Sequence, residues 1–356
     1  MNIVFDNIIF SLQKSGGISV VWEELLKRVS LDKHINPVFL EYNNQNINRK
    51  SLDLNKNNVI SKSSCLLPLT RYFNPMDIMN DKHIFHSSYY RTSSNKYAIN
   101  ITTVHDFTYE YFYGGWRKTL HCNQKYKAIR NSDYIICISE NTKRDLLKFV
   151  SGINENKIRV IYNGVSNQYH VIEGIQDQCL PFDPNSYVLF VGSREPYKNF
   201  KLTVDAVSGT ELNLVVVGKR LSDNEHQFLT RMLGKKRYKC MSHITNEELN
   251  ILYNGAHSLL YPSFYEGFGI PVIEAQKAGC PVIAYNASSI PEVIGKTPLL
   301  VDDLSSSSIS NCLNLLFDTN KRNKIIKDGI ENSRRFTWDN MYNSTIDLYR
   351  EGILNT

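Results

Sequence analysis

The feature that most constrains this chain is a regular alternation of short apolar runs with amphipathic stretches along its 356 residues. In the first half, the apolar runs include NIVFDNIIF and DYIICIS, and segments between them, such as Ser19–Val29, carry apolar residues at helical spacing. The second half starts the pattern again with SYVLFVGS and ELNLVVVGK. Apolar runs of this length that alternate with helical patterns are typical of parallel sheets with crossover helices. The pattern therefore predicts an α/β protein with two doubly wound, Rossmann-like domains.

The alternation lapses between residues 166 and 185, a stretch with two prolines and no clear period. We therefore predict an N-terminal domain at residues 1–165, a linker at 166–185 and a C-terminal domain at 186–336, in keeping with a usual domain size of about 150 residues. Residues 337–356 have apolar residues at helical spacing and are expected to form a helix that packs back on the first domain. The two domains are expected to face a central cleft, with ligands beyond the carboxyl ends of the strands.

The charge of the chain is unevenly distributed. Residues 1–180 contain 22 Lys and Arg against 16 Asp and Glu, whereas residues 181–356 contain 19 of each, so the excess of six positive charges lies in the first half. Such an excess indicates either ordinary solubility chemistry or contact with something anionic, such as a membrane surface or a phosphate-bearing acceptor. No long basic run or recognised nucleic-acid motif is present, so we expect no nucleic-acid partner.

The N-terminus and the cysteines indicate the compartment. The segment MNIVFDNIIFSL lacks the basic start and cleavage site of a signal peptide and is predicted to be the first strand. No apolar run approaches the roughly 20 residues that span a membrane. The seven cysteines, Cys65 among them, are scattered and show no pair at metal-ligand spacing, which suits a reducing cytosol. We predict a cytoplasmic protein, at the inner face of the cytoplasmic membrane if the basic half contacts lipid.

Glycines follow several predicted strands of the second half, where backbone amides become available to phosphate oxygens. In VGSREPYKNF, Gly192 is followed by Arg194 and Lys198, and charged hydrogen bonds from such residues contribute about 1.5–3 kcal/mol when buried. Taken alone, the segment is more typical of a solvated basic loop than of a phosphate site. The dinucleotide fingerprint, the Walker pattern and the Asp-any-Asp motif are all absent. A diphosphate here would therefore need cationic side chains and a helix N-terminus in place of a metal.

The segment SFYEGFGIPVIEAQKAGC places two acids beside a turn that should attract anions. Ile270 to Lys277 is predicted to be a helix with Pro271 in its first turn, so the amides before it would face an anion. Glu274, one turn inside, would repel a phosphate in contact and is expected to accept hydrogen bonds from neutral hydroxyls, such as those of a ribose. Glu266, before the turn, is expected to face a sugar ring. The alternative is that both acids are ordinary helix-start and loop charges.

The first half offers a second group of candidates. In SLQKSGGISVVWEEL, Gly16 and Gly17 follow a strand and lead into a helix, which permits close backbone approach to a ligand. His105 and Asp106 end the buried run TTVHD, and such a pair at the ligand end of a sheet is either functional or structural. Aromatic segments near the same rim suit a sugar or a lipid-linked acceptor, although core packing explains many aromatics equally well. The acceptor-side candidates are Asp106, Tyr89, Tyr90, Arg91 and Tyr109.

Together these segments resemble the retaining glycosyltransferases of family 4, which have the GT-B fold. The resemblance covers essentially the whole chain and is strongest from YVLFVGSREPYKN through the glutamate pair with its glycines. ISENTKRDL and IRVIYNGV also look like segments of this family, and the form GSREPYKN resembles a bacterial branch that builds O-antigens and capsules, including mannosyltransferases.

The resemblance implies a role for each matching residue. Arg194 and Lys198 would bind the donor diphosphate, Glu274 the ribose and Glu266 the transferred sugar, which His105 would also contact. The implied donor-binding set is Gly16, Gly17, Gly192, Arg194, Lys198, Ile244, Glu266, Gly267, Phe268, Gly269, Ile270 and Glu274, with the backbone of Ile244 at the base. The resemblance implies four catalytic residues: Glu266, Arg194 and Lys198 from this set, and His105 from the first domain.

The activity implied is transfer of a hexose, with mannose favoured by the branch, from a GDP- or UDP-linked sugar. The acceptor would be a glycan or a polyprenyl-diphosphate-linked sugar in lipopolysaccharide or capsule synthesis, and neither a metal nor another cofactor is expected. Two alternatives share these motifs. A GT-B nucleotide-sugar epimerase would convert the donor without an acceptor, and a non-catalytic nucleotide-sugar-binding protein would release no nucleotide.

Overall fold

The computed structural model describes residues 1–62, 69, 71–77, 79–175 and 179–355. The chain divides into two compact units, which we call unit 1 (Met1–Gly164 with Trp338–Thr356) and unit 2 (Val165–Thr337). The predicted linker begins beside the first point where the chain passes between them. Residues 176–178 of that linker, and Cys65, lie outside the described residues.

The described residues of unit 1 form a seven-stranded parallel sheet of order β3-β2-β1-β4-β5-β6-β7. Its strands are β1 Asn2–Asp6, β2 Asn36–Glu41, β3 Val59–Ser61, β4 His83–Ser87, β5 Ala98–Val104, β6 Tyr134–Cys137 and β7 Ile158–Val160. Val4, Leu40 and Phe85 from three neighbouring strands pack into one buried cluster. A parallel sheet is covered on both faces, which explains why its strands are continuous apolar runs.

One expectation about the first strand is wrong. The run NIVFDNIIF was predicted as a single strand, but β1 ends at Asp6 and a short helix begins at Ile9. The chain turns there because the amide of Ile9 donates to the hydroxyl of Ser88 (2.9 Å), at the end of β4. An apolar run cannot by itself distinguish a strand from the helix that follows it.

Six α-helices with described bounds precede unit 2 and lie between the strands of unit 1 in the sequence. They are α1 Ile9–Leu12, α2 Gly17–Val29, α3 Ile47–Lys50, α4 Thr108–Phe112, α5 Gly115–Asn131 and α6 Glu140–Phe149. Helix α2, predicted from residue 19, begins two residues earlier and buries Val21, Trp22 and Leu25 against the sheet.

The described residues of unit 2 form a six-stranded parallel sheet of order β10-β9-β8-β11-β12-β13. Its strands are β8 Tyr187–Val191, β9 Asn213–Val217, β10 Tyr238–Met241, β11 Ser258–Tyr261, β12 Val282–Tyr285 and β13 Leu300–Val301. The chain order reverses between β8 and β11, which are neighbours in the sheet. The carboxyl ends of two such strands open a crevice, the usual ligand position in open α/β sheets.

In the described part of unit 2, the α-helices lie between these strands in the sequence or follow the last strand. They are α7 Phe200–Ser208, α8 Asp223–Leu233, α9 Asn246–Gly255, α10 Ile270–Lys277, α11 Ile290–Ile294, α12 Ser306–Leu315 and α13 Thr319–Ser333. Helix α10 has the predicted bounds. Capping boxes begin α8 at Ser222 and α9 at Thr245.

The last helix, α14 (Trp338–Asn355), belongs to unit 1, as predicted. Its Asp339 pairs with Arg28 on α2 at 2.7 Å. Deeper in, the hydroxyl of buried Tyr349 lies 2.5 Å from the imidazole of His86 on β4. The prediction of two Rossmann-like sheets with a returning C-terminal helix is therefore confirmed. Among the helices of the described ranges, none has an apolar stretch long enough to cross a membrane.

Candidate functional site

The crevice of unit 2 is formed by the loops that follow β8 and β11. The amide of Phe264 donates to the carbonyl of Tyr197 (2.8 Å), and the side-chain amide of Asn199 donates to the carbonyl of Pro262 (2.7 Å). Asn199 has a φ of 53°, in the left-handed region that asparagine tolerates better than most residues. These bonds join two loops that are more than 60 residues apart in the sequence, so the side chains that they carry face one another.

Lys198 and Glu266 form an ion pair at the centre of this crevice. The Nζ of Lys198 lies 2.5 Å from Oε1 of Glu266, and their side chains are only 13% and 12% exposed. The ammonium also lies 5.5 Å from the ring centres of Tyr197 and Tyr261. The two residues were predicted to bind different parts of one ligand, and the structure brings them into direct contact. A largely buried pair of this kind is costly to break unless another charge replaces one partner.

Two serines hold the loop of Glu266, and the sequence analysis missed both. The backbone amide of Glu266 donates to the hydroxyl of Ser288 (2.9 Å). The hydroxyl of Ser289 donates to the carbonyls of Glu266 and Phe268, each at 2.9 Å. These serines begin the turn before α11, and no sequence spacing connects them to an acid about 22 residues earlier. They fix the backbone from which the Glu266 carboxylate projects.

The turn into α10 depends on Gly269. This residue caps the helix with a φ of 104°, a conformation that side chains strongly disfavour, and a Cβ there would lie 2.9 Å from Ile290. Pro271 occupies the first turn, as predicted. The segment from Gly267 to Ile270 therefore leads into the positive end of the helix dipole, beside the pair described above.

Glu274 lies one turn inside α10 in a desolvated position. Burial raises the pKa of its carboxyl group from 4.5 to about 7, and hydrogen bonds from the hydroxyls of Tyr253 and Tyr169 oppose that rise. The hydroxyl of Tyr253 lies 3.2 Å from Oε2 of Glu274, and Tyr253 itself is fully buried. The carboxyl group is thus held by two tyrosines from distant segments and ionises near neutral pH. This arrangement suits an acceptor for neutral hydroxyls, as predicted for a ribose.

Replacing Glu274 with Gln is expected to stabilise the ligand-free protein at pH 8 and to weaken nucleotide binding. The carboxyl pKa is raised on folding, so its stabilising contribution is complete below pH 4.5 and is lost as pH rises through about 7. A neutral amide avoids that loss, which corresponds to about 3 kcal/mol at most. It also removes a charged acceptor, which should weaken GDP or UDP binding about 10–100-fold. Thermal unfolding between pH 5 and 8 and calorimetric titration measure the two effects.

Parallel unfolding profiles of the variant and the wild type against pH would contradict the raised pKa. Unchanged nucleotide affinity would contradict the ribose contact.

Arg194, predicted to bind the diphosphate, has several partners within unit 2. Its Nε lies 2.5 Å from Oε1 of Glu225, and its terminal nitrogens donate to the carbonyls of Lys219 and Arg220, each at 2.9 Å. This hydrogen bond to Arg194 is the main reason that the pKa of Glu225 falls to about 2. All three guanidinium nitrogens are therefore used by the loop after β9 and by the start of α8. Arg194 thus positions that loop, and its predicted contact with a diphosphate stays a prediction.

Arg194→Ala should lower stability more than Glu225→Gln, because both changes break the ion pair but only the first also removes the hydrogen bonds to two carbonyls. We expect either change to lower the free energy of unfolding by about 1–3 kcal/mol, and the double variant to lose little more than Arg194→Ala alone. Thermal or denaturant unfolding of the three variants measures this coupling. If Arg194→Ala unfolds like the wild type while it abolishes nucleotide binding, Arg194 contacts the ligand directly.

Two further predicted donor residues lie at strand and helix ends of unit 2. Gly192 directly follows β8 and has a φ of 131°. Its carbonyl oxygen lies so close to Gly218 that a Cβ on Gly218 would be 2.5 Å from that oxygen. Ile244 is half-buried and immediately precedes Thr245, the N-cap of α9. Both positions therefore present backbone close to the carboxyl ends of the strands.

In unit 1, the predicted glycine turn begins α2. Gly16 is the N-cap and Gly17 the first helical residue. A Cβ on Gly16 would lie 2.5 Å from the side-chain oxygen of Gln13, whereas no atom lies within 4 Å of the Cβ position of Gly17. The turn is therefore tightly packed on one side and open at Gly17, where a ligand could approach the backbone.

His105 and Asp106 have different surroundings at the end of β5. Burial lowers the pKa of His105 to about 4, although Asp106 opposes this, so the imidazole is neutral at pH 7. It lines a small cavity with Trp22 and His86. The carboxylate of Asp106 accepts a hydrogen bond from the amide of Thr108 (2.9 Å), the first residue of α4. A neutral histidine can exchange hydrogen bonds with a sugar, whereas Asp106 has a structural partner.

Two of the acceptor-side candidates, Arg91 and Tyr90, lie in the interior of unit 1. Arg91 is only 4% exposed, and its Nε lies 2.8 Å from Oδ2 of Asp6, while a terminal nitrogen donates to the other carboxylate oxygen. The same guanidinium donates to the hydroxyl of Tyr42 (2.7 Å). Tyr90 is buried too. An unpaired buried charge would be costly, so Asp6 at the end of β1 draws Arg91 into the interior.

Tyr89 and Tyr109, the other acceptor-side tyrosines, meet at His121. The hydroxyl of Tyr89 lies 3.1 Å from Nδ1 of His121, and the ring of Tyr109 stacks on the imidazole with centroids 3.9 Å apart. Both tyrosines are half-buried, so they keep some surface for contact. Within the described ranges, no cluster of three or more His, Cys, Asp or Glu residues could hold a metal ion.

Two family models match this chain and together cover most of it. The model described as "Glycosyl transferases group 1" matches residues 172–332, which include the whole crevice of unit 2. The model described as "Glycosyltransferase Family 4" matches residues 71–169.

Relatives and solved structures agree with these models. The chain is 26% identical over 268 residues to O-antigen chain mannosyltransferase B of Escherichia coli, with 70% of each chain covered. It is 28% identical to the O-antigen chain mannosyltransferase RfbU of Salmonella typhimurium, covering 67% of this chain and 66% of the relative. The crystal structure of Anabaena HepE in complex with UDP and glucose has the same fold, with a TM-score of 0.76 and 18% identity, over 99% of this chain and all of that one. The chain therefore belongs to the GT-B glycosyltransferases of family 4.

Proposed function

We propose that this protein is a retaining hexosyltransferase that transfers mannose from a nucleotide diphosphate sugar to a glycan acceptor in O-antigen or capsule synthesis. The choice of mannose rests on the two O-antigen mannosyltransferases that the chain resembles. The observation that carries the proposal is the Lys198–Glu266 pair, which lies beside the start of α10 in the crevice of unit 2. An ammonium, a helix N-terminus and a carboxylate are the groups that a diphosphate and its sugar require.

In this proposal, the donor diphosphate replaces Glu266 as the ion-pair partner of Lys198. The ammonium exchanges a carboxylate for phosphate oxygens, and its charge, with the N-terminus of α10, stabilises the negative charge that develops on the leaving group. The released Glu266 carboxylate then accepts hydrogen bonds from the hydroxyls of the transferred sugar. The ammonium thereby stays paired with an anion, and the hydrogen bonds from the sugar hydroxyls offset the loss of the ion pair for the Glu266 carboxylate.

The transfer step that we propose proceeds on one face of the sugar. The bond between the anomeric carbon and the phosphate oxygen breaks, and the acceptor hydroxyl oxygen forms the new bond on the same face. The departing phosphate oxygen accepts the hydroxyl proton, so no side chain acts as nucleophile and the anomeric configuration is retained. The protein contributes position and charge to this step.

The remaining donor contacts follow from the local geometry. We propose that Glu274, held by two tyrosines, accepts from the ribose hydroxyls, and that the backbone near Ile244 meets the base. From unit 1 we propose Gly17, which is open at its Cβ position, for the phosphates. Neutral His105 would contact the transferred sugar. The sequence lacks the Asp-any-Asp motif, so we propose that the reaction needs no metal.

Product analysis tests this function. The purified full-length protein is incubated with GDP-mannose or UDP-glucose, with and without lipid-diphosphate-linked oligosaccharides, in buffer with EDTA or with Mg²⁺. We expect nucleotide release that depends on the acceptor, an unchanged rate in EDTA and a product of the donor's anomeric configuration by NMR. Conversion of the donor without acceptor would instead identify an epimerase. Tight donor binding with no release of nucleotide would identify a binding protein.

A further inference from the structure

Helix α5 of unit 1 presents one continuous stripe to solvent. The stripe consists of Trp116, Leu120, Asn123, Lys127 and Arg130, at alternating spacings of four and three residues that place them on one helix face. All five are exposed, and Trp116 is 71% exposed, although tryptophan is usually well buried. One end of the stripe is therefore apolar and the other is basic.

The exposure of this stripe does not come from a loosely attached helix. The opposite face of α5 buries Cys122, Ala128 and Ile129 in unit 1. Lys125 is fully buried on that face as well, 2.8 Å from Glu110 and 4.1 Å from the ring centre of Phe107. The helix is thus packed against unit 1 on one side, which fixes the backbone that carries the outward side chains.

The surroundings of the stripe are basic. Residues 111–132 contain five Lys and Arg and neither Asp nor Glu. The buried Lys125 is paired, and Lys118 donates to the carbonyl of Glu110 (2.7 Å). Three of the five remain exposed: Arg117, Lys127 and Arg130. Arg117 also lies 5.5 Å from the ring centre of Trp116, so aromatic surface and positive charge are adjacent.

A neighbouring segment with an exposed aromatic side chain lies beside α5. The side chain of Gln124 donates to the carbonyl of Arg71 (2.8 Å), which places residues 71–73 beside the helix. Phe73 in that segment is 68% exposed. We call Phe73, Trp116, Arg117, Leu120, Lys127 and Arg130 the α5 surface.

We propose that the α5 surface docks on an anionic lipid bilayer. Aromatic side chains such as Trp116 favour the headgroup region, where an apolar ring and a polar edge are both satisfied. Each Lys or Arg near an anionic membrane contributes about 1 kcal/mol, so three exposed cations and two or three inserted apolar side chains suffice for reversible binding. The proposal also assigns a use to part of the net excess of positive charge, which lies in the first half of the chain. It does not depend on the identity of the sugar donor.

Vesicle binding by the full-length protein tests this proposal. We expect binding to phosphatidylcholine vesicles that contain phosphatidylglycerol, with little binding to pure phosphatidylcholine and release at 0.5 M NaCl. Lys127→Glu with Arg130→Glu should weaken binding at least about tenfold, and Trp116→Ser with Leu120→Ser about fivefold. The matched control is Lys235→Glu with Lys236→Glu, which makes the same charge change on exposed residues of unit 2 and should bind like the wild type.

Tryptophan fluorescence gives an independent readout. Trp22 and Trp338 are buried, so a blue shift on adding phosphatidylglycerol vesicles should come from Trp116 and should disappear in Trp116→Phe. The proposal is overturned if the wild type does not bind these vesicles, if the control variant loses as much binding as the α5 variants, or if the blue shift survives in Trp116→Phe. The last result would mean that another face contacts the lipid.

Discussion

Replacing Glu266 with Gln should lower kcat about 10²–10³-fold, while GDP or UDP binds as tightly as to the wild type or more tightly. The loss in kcat is expected because a preorganised charged acceptor for the transferred sugar is removed. The nucleotide affinity should not fall, because Lys198 no longer has to leave a carboxylate 2.5 Å away before it binds the diphosphate. Steady-state kinetics of sugar transfer and calorimetric titration with the nucleotide alone measure the two quantities separately.

Glu195→Gln is the matched control for this experiment. Glu195 lies in the loop after β8, three residues from Lys198, and is exposed. The same chemical change there should leave kcat and nucleotide affinity near wild-type values. A Glu266→Gln variant with normal turnover and weaker nucleotide binding would show that Glu266 has the opposite role, and the proposed exchange of Lys198 would be wrong.

Replacing Lys198 with Ala should weaken nucleotide binding and also lower kcat. Our account assigns the ammonium of Lys198 to the diphosphate. A charged hydrogen bond contributes about 1.5–3 kcal/mol, which corresponds to about 10–100-fold in affinity. Loss of positive charge at the leaving group should reduce kcat about 10²–10³-fold in addition. Binding of GDP and UDP by calorimetry, and turnover at saturating donor, test the two effects.

Lys201→Ala provides the control for the lysine experiment, because Lys201 is exposed on α7 only three residues away. It should change neither quantity. The double variant Lys198→Ala with Glu266→Gln should recover part of the stability lost in Lys198→Ala, since it leaves no unpaired charge in the crevice. If Lys198→Ala binds nucleotide like the wild type, Lys198 does not contact the diphosphate.

The fold could be predicted because its pattern is local. Strands that are buried on both faces must be apolar throughout, and the helices between them have apolar residues every three to four positions. Both patterns can therefore be recognised from residues that are close in the sequence. Helix α10 was predicted with its observed bounds because Gly269 and Pro271 mark its beginning. The first strand was predicted too long because nothing in NIVFDNIIF indicates where the strand ends. The amide of Ile9 donates a hydrogen bond to Ser88, which lies 79 residues away in the sequence.

The candidate site was only partly predictable, because partners come from distant segments. Lys198 and Glu266 could be selected because the carboxyl ends of parallel strands converge at one edge of a sheet. Arg194 and Arg91 looked equally available in the sequence. Their partners are Glu225, 31 residues later, and Asp6, 85 residues earlier, and no spacing rule connects a cation to such an acid.

Glu274 shows what the structure adds to a correct selection. Its place one turn inside α10 could be read from the sequence, but its hydrogen-bond partners could not. Tyr253 is 21 residues away and Tyr169 more than 100, and together with burial they set the ionisation of the carboxyl group. The predicted ribose contact of Glu274 therefore also predicts how the stability of the protein depends on pH.

The most direct test of the account is the position of Lys198 when nucleotide is bound. A crystal structure of the full-length protein with GDP or UDP should place Nζ of Lys198 about 2.7–3.2 Å from a diphosphate oxygen, with the Glu266 carboxylate no longer in contact with it. The account is contradicted if the diphosphate binds while Lys198 remains paired with Glu266.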